Sequence, residues 1–357
     1  MTSIFAATLP FFALVFTGWL AARQRWLPIE AVPGLNAFVL WFALPAMLLR
    51  LGLQLPLAEL LHPALMGVYA LAACVLVAFV LALMLGQGLR MKAATFDAFA
   101  AVYPNNGFMG VPLVATLLGA QAAAAPVMAA ILVDVFITTT LCIALANTDH
   151  ERDTEPNLDT VGGEPTHPIA TRYPDNRLAA RVDRSLRAAL LNPLPWAILL
   201  GAGLHAAELA LPGPVERFVG MLADAASPVA LFTIGTVLRR AQLAVQDSTA
   251  DEARRPDART WQRRLRDGWS VTRLALFKLL LHPLLMLLLG LAARQLGAGL
   301  TTPQLTGLVL VAALPSASSV AMWSERYRAD TARVVHVIMA STALSFITFT
   351  LIAAALK

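Results

Sequence analysis

Two short runs decide the fold: YPNNGFMGVP at residues 103–112 and LPSASSV at residues 314–320. Each run lies near the middle of a long apolar stretch. Pro104 and Pro315 each remove a backbone donor and clash with the preceding helical turn, which is expected to leave the carbonyls of Ala100 and Val311 without their helical partners. The Asn-Asn-Gly that follows Pro104 favours a cap or a turn over a continuing helix. These runs predict two membrane helices that are broken near their midpoints.

The composition predicts a membrane protein. Hydrophobic residues make up 58% of the 357 residues and charged residues 14%, and the mean hydropathy is +0.67. Soluble domains have about 45–50% apolar and about 25% charged residues. Ten stretches are long enough to cross a bilayer at roughly 20 residues each, and no alternating barrel strands occur. The stretches lie near 3–22, 33–53, 63–86, 96–120, 124–146, 190–210, 214–238, 272–296, 302–325 and 331–356.

The distribution of Lys and Arg predicts the orientation. Of the 27 such residues, 22 lie in or beside the loops that follow odd-numbered spans. Positive loops stay in the cytoplasm, so both termini are predicted to be periplasmic in a bacterial inner membrane. Only three residues precede the first apolar run, which is expected to be a span and not a cleaved signal. The net charge of +5 therefore reflects orientation, and no nucleic-acid partner is expected.

The chain divides into two halves. A polar connector at 147–189 separates residues 1–146 from residues 190–357, with five spans in each. Because five is odd, the second half enters the membrane from the opposite side, and a structural repeat must be inverted. The runs ALPAML at 43–48 and ASPVAL at 226–231 are similar, and a glycine follows the proline of each by seven residues. The basic loop at 239–271 is either a solvated loop or a segment lying on anionic headgroups.

The two broken helices supply the predicted substrate site. One broken helix in each half, interrupted at the midplane, is typical of transporters. Freed N–H groups at new helix N-termini favour an anion, and neutral amides and hydroxyls bind it without burying a second charge. The alternative is a pair of proline kinks that only adjust packing. The predicted substrate-binding residues are Pro104, Asn105, Asn106, Gly107, Pro315, Ser316, Ser318 and Ser319.

Ionisable side chains within spans are costly and mark ion pathways or structural pairs. Asp134, in the fifth span and followed by three threonines, is the first candidate for coupling to a proton or sodium ion. His336 in the tenth span is the second candidate. Lys278 lies one turn into the eighth span and is expected to extend to the interface. Neither the two cysteines nor any other motif predicts a metal or cofactor site.

Several motifs, in order, resemble the auxin efflux carrier family over nearly the whole chain. They are LNAFVL (35–40) leading into ALPA (43–46), NNGFMGVP (105–112), Asn192-Pro193, SPVAL (227–231) and Leu314-Pro315 with Glu325-Arg326-Tyr327. The sequence is most similar to bacterial members described as malonate or other organic-anion permeases. Members often carry Pro-Asn in the ninth span where this chain has Ser318-Ser319, so the size of the cavity and the reach of its hydrogen bonds are expected to differ.

The resemblance implies an all-α fold of two inverted five-helix repeats, as in bile acid–sodium symporters, with spans four and nine crossing at their breaks. Spans 3–5 and 8–10 would form a transport domain, and spans 1, 2, 6 and 7 a scaffold. An elevator-like movement between them would carry a small carboxylate, and a homodimer is a further expectation.

Other function classes find less support in the sequence. The sequence contains no Walker motif that would predict ATP as the energy source. It also contains no HExxH motif and no recognisable catalytic Ser-His set that would predict an enzyme. A channel or a sensor built on a transporter fold is the alternative to a carrier. The substrate, the direction of transport and the coupling ion stay open.

Overall fold

The computed structural model describes residues 2–54, 56–148, 193–253 and 269–356, and these are helical and contain no strand. The connector 147–189 lies almost wholly outside them, as do residues 254–268 of the basic loop. The helices are α1 (Thr2–Arg23), α2 (Ile29–Gly52), α3 (Pro63–Gly86), α4 (Met91–Val102), α5 (Asn106–Leu118), α6 (Ala120–Ala146), α7 (Pro193–Ala206), α8 (Gly213–Ala253), α9 (Trp269–Gln295), α10 (Thr302–Ala312), α11 (Ser319–Arg326) and α12 (Thr331–Ala355).

Seven of these helices are long and apolar enough to span a bilayer: α1, α2, α3, α6, α8, α9 and α12. Three shorter helices, α5, α7 and α10, are also apolar. The chain is therefore a multi-pass membrane protein. The apolar stretch at 214–238 continues as helix to Ala253, beyond its predicted end.

Both predicted interruptions are present. The fourth stretch is divided into α4 and α5 around Pro104, and the ninth is divided into α10 and α11 around Pro315. The helix before Pro104 ends at Val102 and the helix before Pro315 ends at Ala312, as expected near a residue that cannot donate its backbone N–H.

The helices pack in two groups. Helix α1 packs against α8, and α2 packs against α7 and α8. In the second group α3 contacts α4, α6 and α9, while α10 contacts α6 and α9. Helix α12 packs against α1, α4, α9 and α11, and α8 reaches the break that begins α5, so the two groups meet around the interrupted helices.

Pairs of glycines allow two close helix crossings in the first group. A Cβ built on Gly235 of α8 would lie 1.9 Å from the carbonyl oxygen of Val15, and one on Gly18 of α1 would lie 1.9 Å from that of Phe232. Helices α2 and α7 cross similarly: a Cβ on Gly52 would lie 2.3 Å from the Ile198 oxygen. Small residues at crossings let membrane helices approach closely. Gly52 and Gly235 are the glycines that follow the two similar proline motifs.

A buried ion pair joins helices of the second group. The Arg333 guanidinium in α12 binds both oxygens of Asp97 in α4, with Nε 2.8 Å from Oδ1 and Nη2 2.8 Å from Oδ2. Arg333 also donates to Ser270 Oγ at the start of α9. The Asp97 side chain is 1% exposed and that of Arg333 is 15% exposed. This contact was not predicted from the sequence.

We expect Gly235→Ala to lower the thermal stability of the detergent-purified protein, because the added methyl group collides with the backbone of α1. Overpacking of this kind costs about 1–3 kcal/mol. Gly220→Ala, on the same helix with nothing within 4 Å of its Cβ, is the matched control and should keep the wild-type Tm. Equal Tm values for the two variants would contradict the close crossing.

Asp97→Ala should destabilise the protein strongly, since removing one partner of a buried pair leaves an uncompensated charge and costs about 3–5 kcal/mol. The control is Asp224→Ala. Asp224 pairs with Arg50 at 2.8 Å, but the two side chains are 76% and 54% exposed, and exposed pairs contribute about 0–1 kcal/mol. Thermal unfolding of both variants measures the difference. A loss of thermal stability in Asp224→Ala as large as that in Asp97→Ala would contradict the larger contribution of the buried pair.

Candidate functional site: the crossover of the broken helices

The two broken helices meet at their breaks and exchange backbone hydrogen bonds. The Asn105 N–H donates to the Pro315 oxygen at 2.9 Å, and the Ala317 N–H donates to the Tyr103 oxygen at 3.0 Å. Pro104 and Ser316 thereby form an isolated antiparallel bridge. Backbone that leaves a helix inside a membrane needs partners within the protein, and each break here supplies partners for the other.

Side chains satisfy polar groups that the prolines free. The sequence predicted that Pro104 deprives the Ala100 carbonyl of its helical donor, and the Ser316 hydroxyl donates to that carbonyl at 2.5 Å. The Ser316 N–H in turn donates to Ser341 Oγ of α12 at 3.2 Å. Ser316 is 1% exposed, so it connects the two breaks and the last helix from a buried position.

Some backbone donors at the breaks take no backbone acceptor among the described residues. They are the N–H groups of Gly107 and Phe108 at the start of α5 and of Ser318 and Ser319 at the start of α11. Such groups at helix N-termini attract anions. Asn105 and Asn106 are 4% and 5% exposed. The structure thus brings the predicted substrate-binding residues of the two helices to one place.

Asp134 of α6 lies at the centre of a buried polar cluster beside the crossover. Its carboxylate accepts hydrogen bonds from Asn106 Nδ2 at 2.6 Å, Tyr69 Oη at 2.9 Å and Thr138 Oγ1 at 3.2 Å. The Asn106 Oδ1 atom is buried and has no partner within the described residues. Within the same part of the chain, no three His, Cys, Asp or Glu side chains are grouped as metal ligands.

Three polar side chains of this region lie in π-helical turns. Asn106 begins the turn Asn106–Gly110, Asp134 begins the turn Asp134–Thr138, and Lys278 lies in Phe277–Leu281. A π turn leaves one residue's backbone groups outside the regular α-helical ladder and is frequent at functional sites. Thr139 Oγ1 donates to the Asp134 carbonyl at 2.7 Å, which satisfies that carbonyl locally.

Lys278 does not extend to the interface, and that expectation is wrong. Its side chain is fully buried, with Nζ 2.6 Å from the Ala312 oxygen and 3.1 Å from His282 Nδ1. The carbonyl predicted to be free, that of Val311, instead accepts the Leu314 N–H at 3.2 Å in a tighter turn. The carbonyl that binds the lysine side chain is therefore that of Ala312, one residue after Val311.

His336 lies apart from the cluster. It is half-buried on α12 and lines a groove of about 740 Å³ together with residues of α1, α8 and α9, among them Phe12, Trp19, Gln242 and Thr272. None of the crossover residues lines this groove. The structure thus joins Asp134 but not His336 to the broken helices.

The sequence did not single out Tyr69 or Ser341, although both contact the crossover. Tyr69 is one of four tyrosines in the chain and lies in the most apolar span, at 0% exposure. A buried tyrosine hydroxyl usually has a partner, so its position in an apolar run was the available signal. Ser341 is one of several hydroxyl residues in α12, and nothing in the sequence distinguishes it from the others.

Comparison with known proteins identifies the family. Residues 3–353 match the family described as "Membrane transport protein". The chain is also 30% identical over 355 residues to a protein of Rhizobium meliloti (strain 1021) named "Putative malonate transporter", covering 98% of this chain and 95% of the relative. The resemblance predicted from the motifs is confirmed. The chain belongs to the auxin efflux carrier family of membrane transport proteins.

Proposed function

We propose that the protein is a secondary active transporter that carries a small organic anion across the membrane by alternating access. The observation that carries this proposal is the crossover, where two helices are interrupted at the same place and bind each other through their backbones. Broken helices of this kind present half-helix ends to substrates and ions near the bilayer midplane. Family membership supports transport as the activity.

The proposed substrate is malonate or another small carboxylate. Four backbone N–H groups at the starts of α5 and α11 have no backbone acceptor within the described residues, and they can bind a carboxylate together with Asn105 and the hydroxyls of Ser318 and Ser319. The name of the Rhizobium relative points to the same substrate class. We assign substrate binding to Pro104, Asn105, Asn106, Gly107, Pro315, Ser316, Ser318 and Ser319.

The proposed movement is that of an elevator. The crossover amides are almost completely buried, so the site must open for a substrate to enter. The group that contains α3–α6 and α9–α12 would move against the group that contains α1, α2, α7 and α8. Ten spans in two inverted repeats would relate α1 to α7 and α2 to α8. The two glycine crossings support that relation, since α1–α8 and α7–α2 are then equivalent pairs.

The proposed location is a bacterial inner membrane with both chain termini in the periplasm. The support is the excess of Lys and Arg in the loops that follow odd-numbered spans. The coupling ion in this proposal is a proton or sodium, and Asp134, which accepts a hydrogen bond from Asn106 of the broken helix, is the first candidate for its contact.

Uptake of radiolabelled malonate into proteoliposomes tests the function. A carrier gives a rate that saturates with concentration, and malonate trapped inside accelerates the entry of labelled malonate. A channel gives a flux that stays linear in concentration and shows no such counterflow. Linear flux would contradict the proposal, and so would saturable transport confined to non-anionic solutes.

Asn105→Ala should abolish or greatly weaken counterflow while the protein still inserts into the membrane. The reason is that the substitution removes the buried side-chain amide of Asn105 at the break of the fourth span, while the backbone N–H that binds Pro315 is kept. Asn147→Ala, at the end of α6 and outside the crossover, is the matched control and should transport at the wild-type rate. Unchanged counterflow in Asn105→Ala would remove this residue from the substrate site.

Asp134→Asn should change the dependence of uptake on pH or on sodium, because the substitution removes the charge while preserving the size of the side chain. Initial rates are measured over a pH series and with sodium replaced by choline. Asp224→Asn, which alters an exposed carboxylate, is the control. If Asp134→Asn retains the wild-type ion profile, Asp134 does not take part in coupling.

A further inference from the structure

The Lys278 ammonium donates a hydrogen bond to the Ala312 carbonyl, which loses its helical partner at the break in the ninth span. In an uninterrupted helix the Ala312 carbonyl would accept the N–H of Ser316 four residues later. That N–H donates instead to Ser341 Oγ at 3.2 Å. The vacated carbonyl receives the Lys278 Nζ at 2.6 Å. Because Ala312 is the last residue of α10, the ammonium lies at the C-terminal end of a half-helix, where the dipole favours a cation.

The surroundings of Lys278 leave its charge without a direct counter-ion. Among the described residues no carboxylate lies within 4 Å of Nζ, although the Asp134 carboxylate acts on it electrostatically from further away. Other titratable groups on the helices around it are Tyr69 and Cys74 of α3, Lys92 and Asp97 of α4, Cys142 of α6, and Arg333 and His336 of α12. Asp97 and Arg333 bind each other, and Tyr69 donates to Asp134.

His282 limits this pair to one positive charge. Its Nδ1 lies 3.1 Å from Lys278 Nζ, so one atom must donate and the other accept. Either the ammonium donates to a bare Nδ1, or Nδ1–H donates to a neutral amine. Both groups cannot be protonated at this contact, since two donors would then face each other. His282 Nε2 is buried without a partner in the described part of the chain, and its ring packs edge-on against Tyr69 at 6.1 Å.

We propose that Lys278 is a tethered cation that takes the place of a metal cation at the crossover, and that the Lys278–His282 pair carries one proton with each substrate anion. This inference rests on the proposed function. When the site opens and the anion leaves, the ammonium gives its proton to His282 Nδ1, and His282 Nε2 gives up its own proton to water. The pair is then neutral, with Nδ1–H donating to the amine, and the reverse transfer reloads it. One anion and one proton thus move in the same direction.

Malonate uptake by proteoliposomes tests the proton transfer. Replacing sodium by choline should leave the wild-type rate unchanged, whereas one pH unit of gradient, acid on the substrate side, should raise accumulation by up to about tenfold. The readout is the ratio of accumulation with and without the gradient, which does not depend on how much protein is reconstituted. A sodium requirement in the wild type would overturn the proposal.

Lys278→Arg separates the charge from the proton, because a guanidinium stays protonated at every pH used. Its accumulation ratio should fall to about one. His282→Gln keeps a hydrogen-bond acceptor for the lysine but cannot pass a proton, and its ratio should also fall to about one. Arg294→Gln, which removes an exposed charge from the same helix, should keep the wild-type ratio. A wild-type ratio in Lys278→Arg, or in His282→Gln if the arginine variant does not fold, would overturn the proposal.

A second measurement does not depend on transport. The Tm of the purified wild-type protein should be equal in sodium chloride and choline chloride, since Lys278 already occupies the carbonyl end. A sodium-dependent rise in Tm would contradict the assignment of Lys278 as a tethered cation, whatever the outcome of the malonate uptake experiment. If malonate flux does not saturate while Tm is independent of sodium, the proposed transport function is contradicted. Proton coupling through Lys278–His282 is then contradicted as well, whereas the assignment of Lys278 as a tethered cation is supported.

Discussion

The structure depends on the pairing of two backbone segments that cannot continue as helices. Pro104 and Pro315 lie where the fourth and ninth apolar stretches are interrupted, and in a membrane an unpaired backbone group costs several kcal/mol. Neither break can be satisfied alone. The mutual hydrogen bonds of Asn105 with Pro315 and of Ala317 with Tyr103 fix the crossing point. They also bring together the amides of the fourth span and four N–H groups that have no backbone acceptor in the described part of the chain.

The remaining polar groups near the crossing follow from this constraint. The Ala100 carbonyl is bound by Ser316, and the Ser316 N–H is bound by Ser341. The Ala312 carbonyl is bound by Lys278. These contacts join α4, α9, α10 and α12, which all belong to the group of helices proposed to move as one. The proposed movement would therefore carry the crossover and the Lys278–His282 pair together.

The sequence predicted much of this arrangement, because prolines and Asn-Gly motifs in apolar stretches act locally. The two breaks, the freed Ala100 carbonyl and the family were predicted from such motifs. The contacts between distant helices were not. Lys278 was expected at the interface because its span position suits an extended side chain, and only the path of α10 shows that a carbonyl receives it. Tyr69, Ser341 and the Asp97–Arg333 pair were missed because hydrophobic periodicity does not specify which helices face each other.

Substrate protection of a cysteine at the crossover tests the central claim most directly. In a variant whose native cysteines, Cys74 and Cys142, are replaced by serine, Ser318→Cys is alkylated by N-ethylmaleimide in proteoliposomes. A cysteine at Gly203 of α7, which has open space around it, is the reference. We predict that malonate slows alkylation at Ser318→Cys with a saturable concentration dependence and leaves the reference rate unchanged. Equal alkylation rates with and without malonate, in protein that shows malonate counterflow, would place the substrate elsewhere and contradict the account.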